Sequence, residues 1–166
     1  LDASISIKPT ALGLLIDEKA AHSNIERIVR KASETNTFVR LDMEDHRVTQ
    51  ATIDASNTMH SRGLTNVGVV LQGRMLRTLE DIAKISRITG TNTDFRICKG
   101  IYLEPPEIAH TSYIDIVDAT NKAVDAMLDS GAYTAIASHD LPVIEHSLMA
   151  LESRGMGPEN KDPRDE

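Results

Sequence analysis

Cysteine is almost missing: Cys98 is the only one in 166 residues. That excludes an internal disulfide framework and a cysteine-rich zinc site. Positive charge is in deficit, with 18 Lys and Arg against 25 Asp and Glu and a net charge of −7. A chain built to grip a phosphate backbone clusters cations instead, so nucleic acid is not the expected partner. Long apolar runs are also lacking. None exceeds about six residues, far below the roughly 20 that a membrane-spanning helix needs. Leu1-Asp2-Ala3-Ser4 opens without the basic and apolar stretches of a secretory signal. The expectation is a cytoplasmic protein, with peripheral attachment at the inner membrane as its variant. Finally, no Gly-x-Gly-x-x-Gly turn follows the first strand-like run. Lys8-Pro9-Thr10-Ala11-Leu12-Gly13 stands there, which argues against a dinucleotide-binding doubly wound sheet.

What is present alternates between short β-branched runs and longer helical ones, with 40% hydrophobic and 26% charged residues, as in an ordinary globular domain. Strands are expected at Ser4–Lys8, Phe38–Asp42, Asn66–Leu71, Phe95–Lys99 and Tyr133–Ala137. The third is nearly all apolar, the mark of a strand buried on both faces of a parallel sheet. Between them, apolar residues recur at helical spacing. Ile25, Ile28, Val29 and Ala32 mark the first helix, and a less periodic second spans about Thr49 to Arg62. Leu79, Ile82, Ala83 and Ser86 mark the third, and Ile116, Val117, Thr120, Val124, Met127 and Leu128 the fourth. Leu141, Ile144, Leu148 and Leu151 mark the fifth. Gly63, Gly90, Gly131 and Gly155 read as helix C-caps.

Five successive β-α units fit either an open sheet or an arc of a barrel, and the absent glycine-rich turn favours the barrel. The fold class is therefore α/β, an incomplete (β/α)8 TIM-type barrel of about five consecutive units, since a whole barrel takes about 250 residues. Residues 1–155 form this partial barrel domain, and 156–166 a polar, Pro-containing, disordered tail.

Barrel chemistry sits at the carboxyl ends of the strands. There the sequence places Lys8, then Asp42 with Glu44 and Asp45, then Gln72, then Arg96 and Lys99, then His139 with Asp140. A lone charge at a strand end is as often a solvated loop residue as a functional one. The Asp42-Met43-Glu44-Asp45 cluster hints at a metal, but a hard cation needs oxygens converging from several segments, so no metal is expected. His139 beside Asp140 lacks a nucleophile to serve. Cys98 alternates inside a strand and reads as a packed small hydrophobe. Gly73 and Gly100 mark places where a ligand or loop approaches the backbone. Taken together, Lys8, Arg96 and Lys99 give an acidic protein three cations at its mouth. That suits a phosphate-bearing cofactor, with a carboxylate left for an amine.

At these positions the sequence resembles the proline dehydrogenase family, flavoenzymes that oxidise L-proline to pyrroline-5-carboxylate. The stretches that carry the likeness are Ser6-Ile7-Lys8-Pro9-Thr10-Ala11-Leu12-Gly13, Leu41-Asp42-Met43-Glu44-Asp45, and Leu71-Gln72 through Leu76-Arg77-Thr78. They continue with Arg96-Ile97-Cys98-Lys99-Gly100-Ile101-Tyr102-Leu103-Glu104-Pro105 and Ala137-Ser138-His139-Asp140. The resemblance implies a distorted barrel with FAD across its mouth. Lys8 and Asp42 would face the substrate, Asp42 near the proline amine, and both would act in catalysis. Tyr102 would line the proline pocket. Gln72, Arg96 and Lys99 would contact the flavin ring or its ribityl–phosphate chain, and Ser138 and His139 the phosphate and adenosine portion. A quinone electron acceptor and a functional link to pyrroline-5-carboxylate dehydrogenase follow from the same likeness.

The chain departs from the family pattern in three places. Gly73-Arg74 stands where many relatives have Ala-Tyr. Ile101 replaces the usual Ala beside the pocket tyrosine. The family's later strands, and its paired arginines for the proline carboxylate, have no counterpart, so the expectation is a C-terminally truncated chain that aggregates or binds FAD poorly alone. Two other readings compete with a proline dehydrogenase: a catalytically inactive barrel fragment or assembly module, and a lyase using Lys8 or Lys99 as a Schiff-base amine.

Overall fold

The five β-branched runs all form strands, each shorter than its sequence pattern by a residue or shifted by one. The computed structural model describes residues 4–156. In chain order it has β1 (Ser4–Ile7), a 3-10 turn (Pro9–Leu12), α1 (Glu18–Ser33), β2 (Phe38–Leu41), α2 (His46–Ser61) and β3 (Val67–Gln72). Then come α3 (Thr78–Thr89), a second 3-10 turn (Gly90–Asn92), β4 (Asp94–Cys98), α4 (Tyr113–Asp129), β5 (Tyr133–Ile136) and α5 (Leu141–Ser153). The sheet has five strands in the order β1-β2-β3-β4-β5. Each strand lies beside its predecessor, without the reversal of order that defines a doubly wound sheet. β1 pairs with β2, and β2 with β3, in parallel. This is a barrel arc, as the missing glycine-rich turn implied. The tail expected over 156–166 lies, beyond Met156, outside the described residues.

The chain divides into two compact units. One comprises the residues up to Val70 together with Ile85–Asp94, the other Leu71–Lys84 together with the described residues from Phe95 onward. In the first, Ile25, Val29, Met59, Val39, Leu41 and Val67 form an apolar cluster between α1, α2 and the strands. Each such side chain removed from water contributes roughly 1.5–3 kcal/mol. Asp17 caps α1 by accepting from Ala20 N at 3.0 Å. α2 begins at His46, three residues before the expected Thr49, because Asp45 caps it by accepting from Arg47 N at 3.0 Å. Its weak periodicity has a cause: Thr49, Thr52 and Ser56 lie on its buried face.

In the second unit, Phe95, Ile97, Val124 and Met127 are fully buried. Two helices turn a different face inward from the one expected. α3, whose residues from Ile85 belong to the first unit, buries Thr78, Asp81, Ile82, Ile85 and Thr89, whereas Leu79 and Ala83 are exposed. Its first turn is anchored, with the Thr78 hydroxyl donating to the Gln72 carbonyl at 2.5 Å and Arg77 Nε to Asp81 Oδ2 at 2.6 Å, and this fixes its rotation. α5 buries Val143, Ser147 and Ala150, and leaves Leu141 and Leu148 exposed. His146 Nε2 lies 2.9 Å from Asp125 Oδ2, and Arg154 Nε donates to Asp129 at 2.8 Å. These bonds stitch α5 to α4 through its small-residue side. The four cap glycines do adopt the left-handed conformation, with φ of 78° at Gly63, 57° at Gly90, 74° at Gly131 and 68° at Gly155.

Candidate functional site

In the first unit the register pairs Ile7 with Leu41, so Lys8 and Asp42 are the next residues along adjacent strands. The Asp42 amide donates to the Ile7 carbonyl at 2.9 Å, and Ser6 Oγ donates to Asp42 Oδ1 at 2.9 Å. The carboxylate therefore has a set direction at the end of β2. Lys8 is exposed and caps the first 3-10 turn with its backbone alone. The rest of the acidic cluster is engaged locally. Glu44 accepts from Thr10 N at 3.0 Å and from the Thr10 hydroxyl at 2.7 Å, holding that turn. Asp45 is the α2 cap, and its hydrogen bonds from Arg47 hold its carboxyl below the usual range.

In the second unit Gln72 is the last residue of β3 and is 3% exposed, and Lys99 lies one residue beyond β4. Lys99 Nζ pairs with Asp140. The Tyr113 hydroxyl donates to the other oxygen of that carboxylate at 2.8 Å, and Lys99 Nζ sits 5.1 Å from the centre of the Tyr113 ring. The hydrogen bonds from Lys99, then Tyr113, hold the Asp140 carboxyl below its ordinary range. The same bond to a carboxylate pushes the Tyr113 phenol up.

Ser138 and His139 lie two and three residues beyond β5, at the entry to α5; Ser138 Oγ accepts from Asp140 N at 3.2 Å, and His139 is exposed. Arg96 is in the middle of β4 rather than at its end, and is half-buried. Tyr102 is on the loop after β4, between Ile101 and Leu103, which are 86% and 96% exposed. Gly73 and Gly100 do mark close approaches, but to the protein itself. A Cβ at Gly73 would lie 2.1 Å from Thr120 Oγ1, and one at Gly100 would lie 2.5 Å from Gln72 Oε1. Cys98 Sγ donates weakly to the Leu71 carbonyl at 3.7 Å, in keeping with a packed residue.

The sequence reading missed Asp140 as the partner of Lys99, Tyr113 as a third member, and Arg74 beneath the Tyr102 loop. For Asp140 a signal exists, an acidic residue just past a strand end, but its chain neighbour His139 is the more obvious partner. A separation of 41 residues between Lys99 and Asp140 hides the real pairing from any local pattern.

Comparison with known proteins bears on what these groups serve. A family model described as proline dehydrogenase matches residues 2–156. Proline dehydrogenase of Deinococcus radiodurans is 32% identical over 157 residues, covering 92% of this chain and 50% of that protein. Proline dehydrogenase 2 of Bacillus subtilis (strain 168) is 31% identical over 156 residues, covering 94% and 50%. The chain thus spans about half the length of the curated relatives it matches. Among solved structures, proline utilization A (PutA) from Bdellovibrio bacteriovorus, inactivated by N-propargylglycine, is similar with a TM-score of 0.84 at 19% identity, over 93% of this chain and 19% of that one. A bifunctional proline utilization A protein gives 0.75 at 13% identity, over 90% and 18%. At such identities the structures speak for the fold: a partial barrel of the TIM type.

Proposed function

The chain belongs to the proline dehydrogenase family, and from that premise we propose that it supplies five β-α units of an FAD-dependent enzyme that oxidises L-proline to pyrroline-5-carboxylate. The observation that carries the reading is the family match over residues 2–156. Lys8, Asp42, Gln72, Lys99 and Ser138, all within or just past the carboxyl ends of their strands, support it. The partial barrel domain is taken as residues 1–155.

The donor set suits FAD. A pyrophosphate needs cations and hydrogen-bond donors, and the second unit offers the Lys99 ammonium, the Ser138 hydroxyl, the His139 ring and the first turn of α5. Gln72, with a buried side chain at the end of β3, offers both a donor and an acceptor to the polar edge of a flavin, and Arg96 offers a further cation. FAD, when bound, supplies the acceptor for the hydride that leaves the carbon beside the proline nitrogen. The protein's part is orientation and electrostatics. Asp42, its Oδ1 already held by Ser6, would receive the hydrogen of the proline amine and so fix the ring. Lys8, the next residue along the neighbouring strand, would place a positive charge on the substrate side, and Tyr102 would line the ring's pocket. The electron acceptor is taken as a quinone, and pyrroline-5-carboxylate dehydrogenase as the enzyme that consumes the product; the bifunctional character of one structural relative suits that link. No helix among the described residues is long and apolar enough to cross a membrane. The proposed setting is the cytoplasm, with peripheral contact at the inner membrane.

In the intact protein, Asp42→Ala should lower kcat/KM for proline by about 10²-fold or more while the visible absorbance of bound flavin persists. Undiminished turnover would remove Asp42 from the site. A protein that never takes up flavin would remove the whole reading.

A further inference from the structure

Arg74 sits two residues past Gln72 and is only 9% exposed, yet its guanidinium meets a backbone carbonyl rather than a carboxylate. Nη1 donates to the carbonyl of Tyr102, and Nε is buried with no hydrogen-bond partner. The backbone of the same short segment grips both ends of the loop that carries Tyr102. Gly73 N donates to the Cys98 carbonyl at 2.7 Å and Arg74 N to the Lys99 carbonyl at 3.0 Å. At the far end, His110 N donates to the Arg74 carbonyl at 2.8 Å, Leu76 N to the Ile108 carbonyl at 3.0 Å, and Met75 bridges Ala109. Between these clamps Ile101 and Leu103 face solvent, while Tyr102 is half-buried and Glu104 is buried. The Arg74 side chain holds its middle.

Gly100 makes room for this. Its φ is +97°, and a Cβ there would lie 2.8 Å from Arg74 Cδ and 3.0 Å from Arg74 Cγ. The glycine lets the loop turn over the Arg74 stem, so the guanidinium emerges under Tyr102. A lysine would bring a compact, strongly hydrated charge in place of a planar fork. A methionine would keep the stem but leave the Tyr102 carbonyl without its donor.

We propose that Arg74 is a positioning residue that fixes the backbone at Tyr102. This rests on the reading above that Tyr102 lines the proline pocket, and through Tyr102 Arg74 sets how tightly that pocket holds its substrate. The chain has three tyrosines and no tryptophan, so fluorotyrosine resonances report on Tyr102 individually once each is assigned by a Tyr→Phe replacement. In Arg74→Met, exchange of the Ile108 and His110 amides, which donate to the Pro105 and Arg74 carbonyls, should accelerate about tenfold or more, and the Tyr102 resonance alone should shift, with Tyr113 and Tyr133 unmoved. Arg74→Lys, the milder variant should Arg74→Met not fold, should accelerate the same amides by a smaller factor. With flavin-loaded protein turning over proline, Arg74→Met should raise KM for proline about tenfold and change kcat by less than about threefold, the mark of lost uniform binding. Unchanged exchange in the variants overturns the proposal, as does a loss confined to kcat. If the unmodified protein does not respond to proline at all, the functional reading fails, and the exchange and resonance data alone decide whether Arg74 holds the loop.

Discussion

Two cation–carboxylate pairs, one in each unit, are put to different use by the same kind of β-α repeat. In the first unit Arg40, in the middle of β2, pairs with Asp94 at the start of β4, and their side chains are 7% and 3% exposed. The Phe38 ring lies under the guanidinium at 5.1 Å. Across the ladder Arg40 is opposite Gly68, where a Cβ would meet the Asp94 carbonyl at 2.7 Å and Phe38 Cζ at 2.9 Å. In the second unit Lys99 and Asp140 lie beyond their strands, with side chains 32% and 9% exposed. One pair is sealed within a strand face and can only support structure. The other stands past the strand ends, with the ammonium partly open to solvent. Position along the strand, more than residue type, separates a sealed pair from one that solvent reaches.

The largest expected effect breaks the sealed pair. Asp94→Ala leaves the Arg40 guanidinium buried without its counter-charge and should cost about 3–5 kcal/mol, read from the urea midpoint. Removing both charges together, as Arg40→Met with Asp94→Leu, should recover much of that loss. Asp140→Asn should move the midpoint far less. It should also bring the ionisation of Tyr113 down toward that of an ordinary phenol, because the carboxylate that raises it is gone; tyrosinate absorbance in an alkaline titration reads this directly. Equal losses from Asp94→Ala and Asp140→Asn would erase the contrast between the two pairs.

A smaller effect sharpens the contrast from the other side. Both units also depend on close backbone approach, at Gly68 in the first and at Gly73 in the second. At Gly73 an added Cβ would lie 2.1 Å from Thr120 Oγ1 and 2.7 Å from Thr120 Cα. The hydroxyl can be removed by mutation, but the helix backbone cannot. Gly73→Ala should therefore cost about 1–3 kcal/mol, and Thr120→Ala in the same chain should recover only part of it. Complete recovery would mean that the hydroxyl, not the approach of α4, sets the limit.

How much of this could be read from the sequence depends on how local each feature is. Strand order and type were legible because β-branched runs and cap glycines are local signals, and Gly63, Gly90, Gly131 and Gly155 all took the backbone conformation that only glycine adopts readily. The strand-end positions of Lys8, Asp42, Gln72 and Lys99 followed from the same runs. The inward faces of α3 and α5 were not legible, because side-chain bonds set their rotation, Thr78 to the Gln72 carbonyl in α3 and Arg154 to Asp129 in α5, whereas Leu79 and Leu148 fit the apolar period equally well. The sealed pair joins residues 54 apart. Its one visible trace was an arginine flanked by Val39 and Leu41 in a strand, an oddity easily read as one more polar alternation. The hydrogen bonds around Asp140 and Arg74 join loops, and loops carry no period from which to infer them.

The smallest effect concerns protons in the first unit. His60, in the last turn of α2, places Nε2 2.8 Å from the Val67 carbonyl at the start of β3. Burial disfavours the imidazolium and lowers its pKa below the ordinary 6.5, and the bond to Val67 opposes this only in part. Because the folded value is the lower one, the unfolded chain binds the proton more readily. The stability tied to the neutral ring is complete above the unfolded pKa and drains away as pH falls through 6.5 toward the folded value. Glu26 and Asp45 do not confuse this window, since hydrogen bonds from Arg30 and Arg47 hold both carboxyls below their usual range, so they titrate at lower pH. The urea midpoint should therefore fall between pH 7 and about pH 5. His60→Gln, which keeps a donor for the Val67 carbonyl but has no proton to gain, should flatten that slope. A slope unchanged by the substitution would place the acid sensitivity elsewhere and leave the first unit's stability to its apolar cluster and its sealed pair.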